Sequence, residues 1–468
     1  MHPARRAGAA LYHARMVARA TAPARSAHGW LAAVIPASAR RFRVLDDELR
    51  ETLAEAGADL VDAEPDVEIG RAEELRGDAE LAVVPLGRSP QGGDVKLVRA
   101  LDRGRRRLGL ALETQRTRRR VAPLYPRTEV LRFDLAHPLQ LPHLRLGRRT
   151  SFAERLPRRA LVLGFREERT SLFEAVVEEA GRALGTPLVL HTPLVREGVI
   201  VAATNGTMLK VAVGPARGEL LMAAAMLDSL HEAGPPPAVS ERVPWPVAHG
   251  RTGLADWLLE RRLPGRSGSP AVDGALLEDC LEFLVELHRA GGAEPQAAPG
   301  DAELVARLGP PEHAETVLRL GRTVAERLSG FPRGFAHGDF WSGNLLTEGG
   351  RLTGVIDWDV AGQGFPALLD LLHLRLVAAR RPSALNWGRA FVEWLLPWTE
   401  QGGDRVSAAY CERLGLEADS DQLLSVAAAY WLHRGAHQLG GYVERGRPAW
   451  IKTNFLLPLV ELSRLLGS

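Results

Sequence analysis

The sequence predicts a protein of mixed helices and strands that folds as two or three domains. Its 468 residues exceed what one hydrophobic core normally covers. Helical and strand-like patterns alternate up to about residue 160, a hairpin pattern follows near residue 205, and helical patterns fill most of the remainder. We therefore expect a small α/β domain followed by a region that begins with a hairpin and continues as helices.

Bulk composition excludes several classes of protein. The 59 basic residues nearly balance the 57 acidic ones, which argues against a dedicated nucleic-acid binder. Eighteen consecutive apolar residues never occur, so we expect no insertion into a membrane. The two cysteines, Cys280 and Cys411, are far apart, which predicts neither a disulfide framework nor a cysteine-rich metal site. A reducing, cytoplasmic setting fits this composition.

The first 45 residues are rich in alanine and arginine, and Asp46 is the first acidic residue. We expect a weakly structured extension here, although an amphipathic targeting peptide has the same acid-poor composition.

Residues 46–160 have the pattern of a small α/β domain whose role the sequence leaves open. The stretch "DDELRETLAEAG" is helical and ends at a glycine, "AELAVVPLG" resembles a buried strand, and "TEVLRFDL" predicts another strand. The basic stretch "VKLVRALDRGRRRLGLALETQRTRRR" predicts a long helix. Its charge run indicates a solvated face or a face for an anionic partner.

The pattern changes from about residue 161. After the helical stretch "SLFEAVVEEAGRALG", two strand-like runs, "GVIVAAT" and "TMLKVAVG", are joined by Asn205-Gly206, a strong hairpin signal. Lys210 lies inside the second run. The helix "RGELLMAAAMLDSLHEAG" follows and ends at Gly234.

Later helices are predicted in "GALLEDCLEFLVELHRAGG" and "AETVLRLGRTVAERLSG". The stretch 291–312 between them, rich in glycine, proline and alanine, predicts a loop.

Residues 337–346, "HGDFWSGNLL", carry the clearest chemical signal. Asn344 follows Asp339 by five residues, and the strand-like "LTGVIDWD" places Asp357 thirteen residues beyond Asn344. Two carboxylates and an amide in a compact region are oxygen ligands, which suit a hard cation such as Mg²⁺ better than zinc.

Phosphoryl transfer needs such a metal site together with a carboxylate that accepts the proton of the attacking hydroxyl. Asp339 fits that base, and Asn344 and Asp357 fit the metal. A further cation should contact the nucleotide phosphates, and Lys210 is the candidate. Only three of the 59 basic residues are lysines. Because lysine and arginine are not interchangeable at a phosphate, a lysine kept at this position favours function.

The segments "HGDFWSGN", "GVIDWD" and "GFPALLDL" resemble the signature of the aminoglycoside phosphotransferase and choline kinase families, which are small-molecule relatives of the protein kinases. The resemblance covers about residues 165–468. It implies an α+β, two-lobed protein-kinase-like fold, with an antiparallel-sheet N-lobe at 161–262 and a helical C-lobe at 263–468. It also implies that ATP, or GTP, is held between the lobes with Mg²⁺.

The same resemblance implies roles for further residues. Lys210 would be oriented by an acidic residue of the next helix, for which Glu219 is the best match and Glu232 the fallback. The segment "LLERRLPG" resembles the connection between the lobes, where the backbone of Glu260 and Arg261 would bind the adenine edge.

The families' motif also implies supporting roles around the loop. His337 would buttress it, and Asp370 would anchor it by capping the following helix. Asp359 would join the metal shell or form a salt bridge. The glycine-rich phosphate loop of protein kinases is missing from the sequence.

The predicted activity is transfer of a terminal phosphate to a hydroxyl of a small molecule, of sugar, aminoglycoside or amino-alcohol type. One alternative is a non-catalytic nucleotide-binding module that serves the N-terminal domain. Another places the main activity in residues 46–160. Seven of the ten tryptophans lie at or beyond Trp341, where they would pack the core or form a box for a quaternary ammonium.

Overall fold

The structure is a computed structural model, and it describes residues 29–86, 112–133, 159–166, 170–191, 194–195, 198–214, 217–268, 270–291, 300–383, 386–441 and 448–467. The described chain divides into two compact units. We call Ser26–Leu221 with Val247–Glu260 the sheet unit, and Met222–Pro246 with Arg261–Ser468 the helical unit. Among the helices that the structure describes, none has the length and apolar character needed to cross a membrane.

The sheet unit begins with a six-stranded mixed sheet in the order β2-β1-β3-β4-β6-β5. The neighbouring pairs from β2 to β4 are parallel, whereas β6 runs antiparallel to both β4 and β5. The strands are β1 (Arg41–Val44), β2 (Asp59–Leu60), β3 (Val67–Ile69), β4 (Leu81–Leu86), β5 (Arg127–Phe133) and β6 (Arg159–Phe165). The strands predicted in "AELAVVPLG" and "TEVLRFDL" are therefore confirmed.

Local sequence explains the helices of this unit, which are α1 (Trp30–Val34), α2 (Asp47–Glu55), α3 (112–121) and α4 (Leu172–Leu184). The side chain of Asp46 accepts a hydrogen bond from Leu49 N and so caps α2. A capping box between Ser171 and Glu174 starts α4, and Gly185 ends it in the left-handed region. The predicted helices at 46–57 and 171–185 are confirmed. The first part of the predicted basic helix lies outside the described residues.

Two predicted boundaries disagree with the structure. Residues 29–45 are no extension, because they form the buried helix α1 and the strand β1, which pairs with β2 and β3 inside the sheet. The apolar run "WLAAVI" at 30–35 has the composition of a core segment, and the surrounding alanines and arginines obscured it. The boundary expected at residue 161 falls inside β6, which pairs with β4 and β5.

A second sheet of the sheet unit has the order β10-β11-β9-β8-β7. Its strands are β7 (Leu194–Val195), β8 (Val199–Ala202), β9 (Thr207–Val213), β10 (Pro246–Thr252) and β11 (Ala255–Arg261). The predicted hairpin is confirmed, since β8 and β9 pair antiparallel and place Ile200 opposite Lys210. Gly206 takes φ +81° in the turn, a conformation that glycine adopts at no steric cost.

One hydrophobic core serves both sheets of this unit. Its buried members include Phe42 and Leu53 from the α/β part, Phe173 from α4, and Val211 and Trp257 from the second sheet. The sequence predicted a separate N-terminal domain. A sheet with one apolar face must cover that face, and here the two sheets and their helices do so together.

The helical unit contains most of the later helices and two small sheets, one of three strands and one of two. Helix α5 (Arg217–Glu232) leads into it, followed by α6 (Pro237–Ser240), α7 (Gly274–Ala290), α8 (Asp301–Leu308), α9 (Ala314–Arg327), α10 (Leu369–Ser383), α11 (Trp387–Ala390), α12 (Leu396–Glu400), α13 (Arg405–Leu414), α14 (Ser420–Gly441), α15 (Pro448–Trp450) and α16 (Leu457–Leu466). A 3₁₀ turn at Pro311–His313 and π-helical segments at Phe391–Leu395 and Ile451–Leu456 join some of them. Its strands are β12 (Arg266–Ser267), β13 (Arg333–Ala336), β14 (Leu345–Glu348), β15 (Arg351–Val355) and β16 (Gly362–Pro366).

Helices α5, α7 and α9 confirm the helical patterns at 217–234, 274–292 and 314–330. Helix α8 contradicts the loop predicted over 291–312. Leu304 and Val305 of α8 are buried and acidic residues occupy its first turn, so a short amphipathic pattern was hidden between glycines and prolines.

Four of the seven C-terminal tryptophans are buried, which favours packing over an aromatic box; they are Trp358, Trp387, Trp398 and Trp431.

Candidate active site

Asp370, in the first turn of α10, anchors the loop between β13 and β14. The N–H groups of His337 and Gly338 donate to its two carboxylate oxygens, at 2.6 and 2.8 Å. Burial raises the pKa of Asp370, while the nearby His337 and the two backbone hydrogen bonds oppose that rise. Asp370 thus anchors the loop, as predicted, but it does so by accepting these two bonds directly.

His337 supports the loop from inside, in agreement with the prediction. Its side chain is fully buried, its Nε2 donates to the carbonyl of Ile356 at 2.9 Å, and its Nδ1 accepts from Asp339 N at 3.3 Å. Gly338 takes φ +78°, and a Cβ there would lie 2.5 Å from the Val360 carbonyl oxygen. The loop therefore needs glycine at this position.

The Asp339 carboxylate uses its two oxygens differently. Oδ1 accepts from Arg434 Nη1 at 2.6 Å and from His373 Nε2 at 3.0 Å, whereas Oδ2 accepts from Asn344 Nδ2 at 3.1 Å. Burial alone would raise the pKa of Asp339, but the charge of Arg434 and the hydrogen bond from His373 hold it well below its ordinary value. The side chain is 21% exposed, so this anionic carboxylate is accessible to solvent.

Hairpin pairing brings the backbone at Asn344 close to the backbone just before Asp357, although the two residues are thirteen positions apart in the sequence. Strands β14 and β15 pair Leu345 with Val355, and the next N–H, of Ile356, donates to the Asn344 carbonyl at 2.9 Å. Asp357 follows at once. It is exposed and takes φ +63°, a conformation that non-glycine residues keep at a cost of about 1–3 kcal/mol and that is frequent at functional sites.

The donor set fits Mg²⁺. Both hydrogen bonds of the Asn344 side chain use its nitrogen, one to the Asp339 carbonyl and one to its carboxylate, which leaves Oδ1 for a cation. Within the described ranges, no group of three or more His, Cys, Asp or Glu side chains is placed to hold a metal ion. A two-ligand set is what Mg²⁺ normally uses, because it keeps waters and binds phosphate oxygens as well.

Lys210 forms an ion pair with Glu260 in the sheet unit. Its Nζ lies 2.8 Å from Glu260 Oε1, and both side chains are largely buried, at 16% and 5% exposure. The two residues come from neighbouring strands, β9 and β11. Glu219, which the sequence favoured as the partner of Lys210, is buried in the first turn of α5, and Glu232 is exposed at the other end of that helix.

The predicted role of the backbone around Glu260 and Arg261 stays a prediction, but one of its donors is already used. The N–H of Arg261 donates to the Trp245 carbonyl at 2.9 Å. Its guanidinium Nη2 lies within 3.0 Å of three further carbonyl oxygens, those of Ser240, Glu241 and Val243. Arg261 therefore holds a turn of the helical unit, and Glu260 contributes its side chain to the ion pair with Lys210.

Sequence reasoning missed His373 and Arg434, both of which contact Asp339. A signal for Arg434 exists in α14, where polar residues recur at helical spacing at 430, 433, 434 and 437 within the otherwise apolar "AAAYWLHRGAHQLGG". His373 follows Asp370 by three residues on α10, which places both on one side of that helix.

One protein family matches part of the chain. Residues 200–408 match the model of the phosphotransferase enzyme family, which confirms the resemblance over that segment. No curated protein sequence matches the chain.

Similar solved structures include aminoglycoside phosphotransferase APH(3'')-Id from Streptomyces rimosus, at 16% identity over 55% of this chain and 94% of that one, with a TM-score of 0.36. A thermostable mutant of APH(4)-Ia with ADP and hygromycin B is 18% identical over 57% and 98%, with a TM-score of 0.34. The GDP complex of aminoglycoside 2'-phosphotransferase-IIIa is 16% identical over 57% and 89%, with a TM-score of 0.35.

Proposed function

We propose that this chain, whose residues 200–408 match the phosphotransferase enzyme family, is a Mg²⁺-dependent kinase of a small molecule. It transfers the terminal phosphate of ATP, or of GTP, to a hydroxyl of a small polar acceptor of sugar, aminoglycoside or amino-alcohol type. The observation that carries the proposal is the anchored loop in which an accessible, anionic Asp339 contacts Asn344, with Asp357 fixed beside it by the hairpin.

Asp339 acts as the general base in this reaction. As the acceptor oxygen forms its bond to the terminal phosphorus, the hydroxyl proton moves to Asp339 Oδ2. The bond between that phosphorus and the bridging oxygen breaks at the same time, and the nucleoside diphosphate leaves with the electron pair. Asn344 Nδ2 donates to Oδ2 and fixes the direction of its remaining lone pair.

Asn344 and Asp357 are the residues that would hold the metal. Bound Mg²⁺ supplies positive charge that neutralises the phosphate oxygens. The left-handed backbone at Asp357 turns the chain sharply after β15, directly beyond the hydrogen bond between Ile356 and Asn344. This backbone conformation is energetically unfavourable, and the proposed role of Asp357 as a metal ligand explains why it is kept.

Lys210 contacts the nucleotide phosphates in this proposal, and Glu260 holds its ammonium in place. A compact ammonium suits this task because it forms a point-like contact with phosphate oxygens, whereas guanidinium imposes a planar fork. The buried carboxylate of Glu260 fixes the ammonium from behind, so that less conformational freedom is lost when a nucleotide binds.

An acceptor screen tests the proposed function. Purified protein with MgATP or MgGTP is incubated with aminoglycosides, amino sugars, neutral sugars, nucleosides and choline analogues, and nucleotide consumption is measured. We expect at least one hydroxyl compound to raise consumption well above the background with water. Binding of MgATP without turnover on any acceptor would instead favour a non-catalytic nucleotide-binding module.

A further inference from the structure

Helix α14 carries a row of polar side chains on one side, and two of them contact the loop between β13 and β14. Tyr430, His433, Arg434 and His437 recur at positions i, i+3, i+4 and i+7, so they share one side of the helix, and all four are buried. His433 Nε2 lies 3.1 Å from the Gly338 carbonyl, and Arg434 reaches Asp339. Burying polar groups is costly unless they are hydrogen-bonded, and the contacts of His433 and Arg434 with Gly338 and Asp339 meet that condition.

A chain of hydrogen bonds fixes the tautomer of His373. Trp387 Nε1 can only donate, and it lies 3.2 Å from the Tyr430 hydroxyl oxygen, which therefore accepts. The Tyr430 hydroxyl then donates to His373 Nδ1 at 2.7 Å. The ionised Asp339 carboxylate can only accept, so His373 Nε2 carries the hydrogen and donates to Oδ1, which leaves Nδ1 of the neutral ring as the acceptor for Tyr430. Burial, together with the charge of Arg434, lowers the pKa of His373 to about 4, in agreement with a neutral ring.

The two donors converge on one oxygen. Arg434 comes from α14 and His373 from α10, and both donate to Oδ1 of Asp339, at 2.6 and 3.0 Å. Oδ2 accepts from Asn344 at 3.1 Å and keeps a second lone pair. A carboxylate that is bound in this way cannot rotate about its Cβ–Cγ bond without breaking charge-assisted hydrogen bonds.

We propose that Arg434 and His373 are positioning residues, which hold Oδ1 of Asp339 so that Oδ2 is the oxygen presented to the acceptor hydroxyl. The inference rests on the proposed function, in which Asp339 is the base. Neither residue is assigned a contact with the reacting atoms. Both act through the Asp339 carboxylate, and the chain Trp387–Tyr430–His373 extends this support into the core of the helical unit.

Paired variants of His373 separate positioning from packing. His373→Gln keeps an N–H donor near the position of Nε2, whereas His373→Leu fills the space without a donor. We expect kcat of His373→Gln to stay within about threefold of wild type and that of His373→Leu to fall at least tenfold, with the KM for ATP little changed in both. Equal losses in the two variants would overturn the assignment of His373.

Chemical rescue tests Arg434. We expect Arg434→Ala to lower kcat about 100-fold, because misplacing a catalytic group by about 1 Å has effects of that size. Added guanidinium, at concentrations that do not unfold the protein, should restore a measurable part of kcat. Arg375→Ala is the matched control, since Arg375 pairs with Asp404 at 2.5 Å in the same unit and not with Asp339. It should keep wild-type kcat and gain nothing from guanidinium.

Three results bear on different claims. Wild-type transfer with near-normal kcat in Arg434→Ala would overturn the positioning role and leave the proposed function intact. Absence of transfer by the wild type on every acceptor would overturn the proposed function, and this inference with it. If Arg434→Ala does not fold, as circular dichroism would reveal, Arg434→Lys replaces it: a kcat at least tenfold below wild type supports the role, and wild-type kcat overturns it.

Discussion

The Lys210 ammonium and the Glu260 carboxylate lie 2.8 Å apart on neighbouring strands, β9 and β11, of one sheet. The resemblance to known phosphotransferases implied a partner on the following helix. Sites built on strands hold their side chains more precisely than sites on mobile segments, and the two strands here belong to a sheet that packs in a large core. An acidic partner of Lys210 is thus built into the sheet itself.

Glu260→Gln tests this pair. The substitution keeps the shape of the side chain and removes the charge that holds Lys210. We expect the KM for ATP to rise about tenfold or more, which corresponds to the loss of about 1.5 kcal/mol from a charge-assisted hydrogen bond. Glu219→Gln is the comparison, with a smaller expected effect. Steady-state kinetics with varied ATP measure both, and a larger effect of Glu219→Gln would reassign the partner.

Lys210→Arg tests the point-like contact with phosphate. Arginine keeps the positive charge, but its planar guanidinium replaces the compact ammonium that pairs with the Glu260 carboxylate. We expect kcat/KM for ATP to fall at least about tenfold while the protein remains folded. ATP kinetics and thermal unfolding would be compared with the wild type, and wild-type kinetics in the variant would remove the argument for a dedicated lysine.

Magnesium dependence tests Asn344 and Asp357. Asn344→Ala and Asp357→Ala would each remove one of the oxygen ligands proposed above, so we expect the Mg²⁺ concentration that gives half-maximal activity to rise by at least about tenfold. Asp359→Asn, two residues beyond, shows whether that carboxylate joins the metal shell. A titration of activity with MgCl₂ at constant MgATP measures all three, and an unchanged dependence in Asp357→Ala would exclude this residue as a ligand.

Acid stability tests the burial of His288. Burial and the neighbouring Arg289 lower the pKa of His288 from 6.5 to about 4. The unfolded chain therefore binds a proton between these values while the folded chain does not, and stability falls as the pH falls through that window. His288 alone contributes a slope of about 1.4 kcal/mol per pH unit in this window, and His373, whose pKa is also lowered to about 4, adds to it.

Urea unfolding from pH 7 to pH 4 measures that slope. His288→Gln should reduce it, whereas the same change at the exposed His231 should not. Equal slopes for His288→Gln and the wild type would show that His288 titrates alike in the folded and unfolded chains.

The parts of the fold that the sequence predicted are those with strong local signals. The Asn205-Gly206 turn specified the β8–β9 hairpin, and a continuous 3.6-residue period specified α7 and α9. The misses have tertiary causes. Strand β6 belongs to the six-stranded sheet because of its partners, which no local pattern reveals, and α8 was hidden by flanking glycines and prolines.

The candidate site likewise contains residues that the sequence identified and residues that it did not. Asp339, Asn344 and Asp357 were recognisable because they lie within nineteen residues and one hairpin joins them. Arg434 is 95 residues from Asp339, and the bond between them exists only through the packing of α14 against the loop. Lys210 and Glu260 are similarly distant in sequence and meet through strand order, which the sequence left undetermined.

The rate of phosphate transfer by Asp339→Asn is the decisive test of Asp339 as the general base. Asparagine preserves the size of the side chain but cannot accept the hydroxyl proton. With radiolabelled ATP and an acceptor identified for the wild type, we measure the rate at which label enters the acceptor under saturating conditions. A general base contributes about 10²–10⁴-fold, so we expect a loss of that order while nucleotide binding is retained. A loss of only a few fold would contradict this role of Asp339.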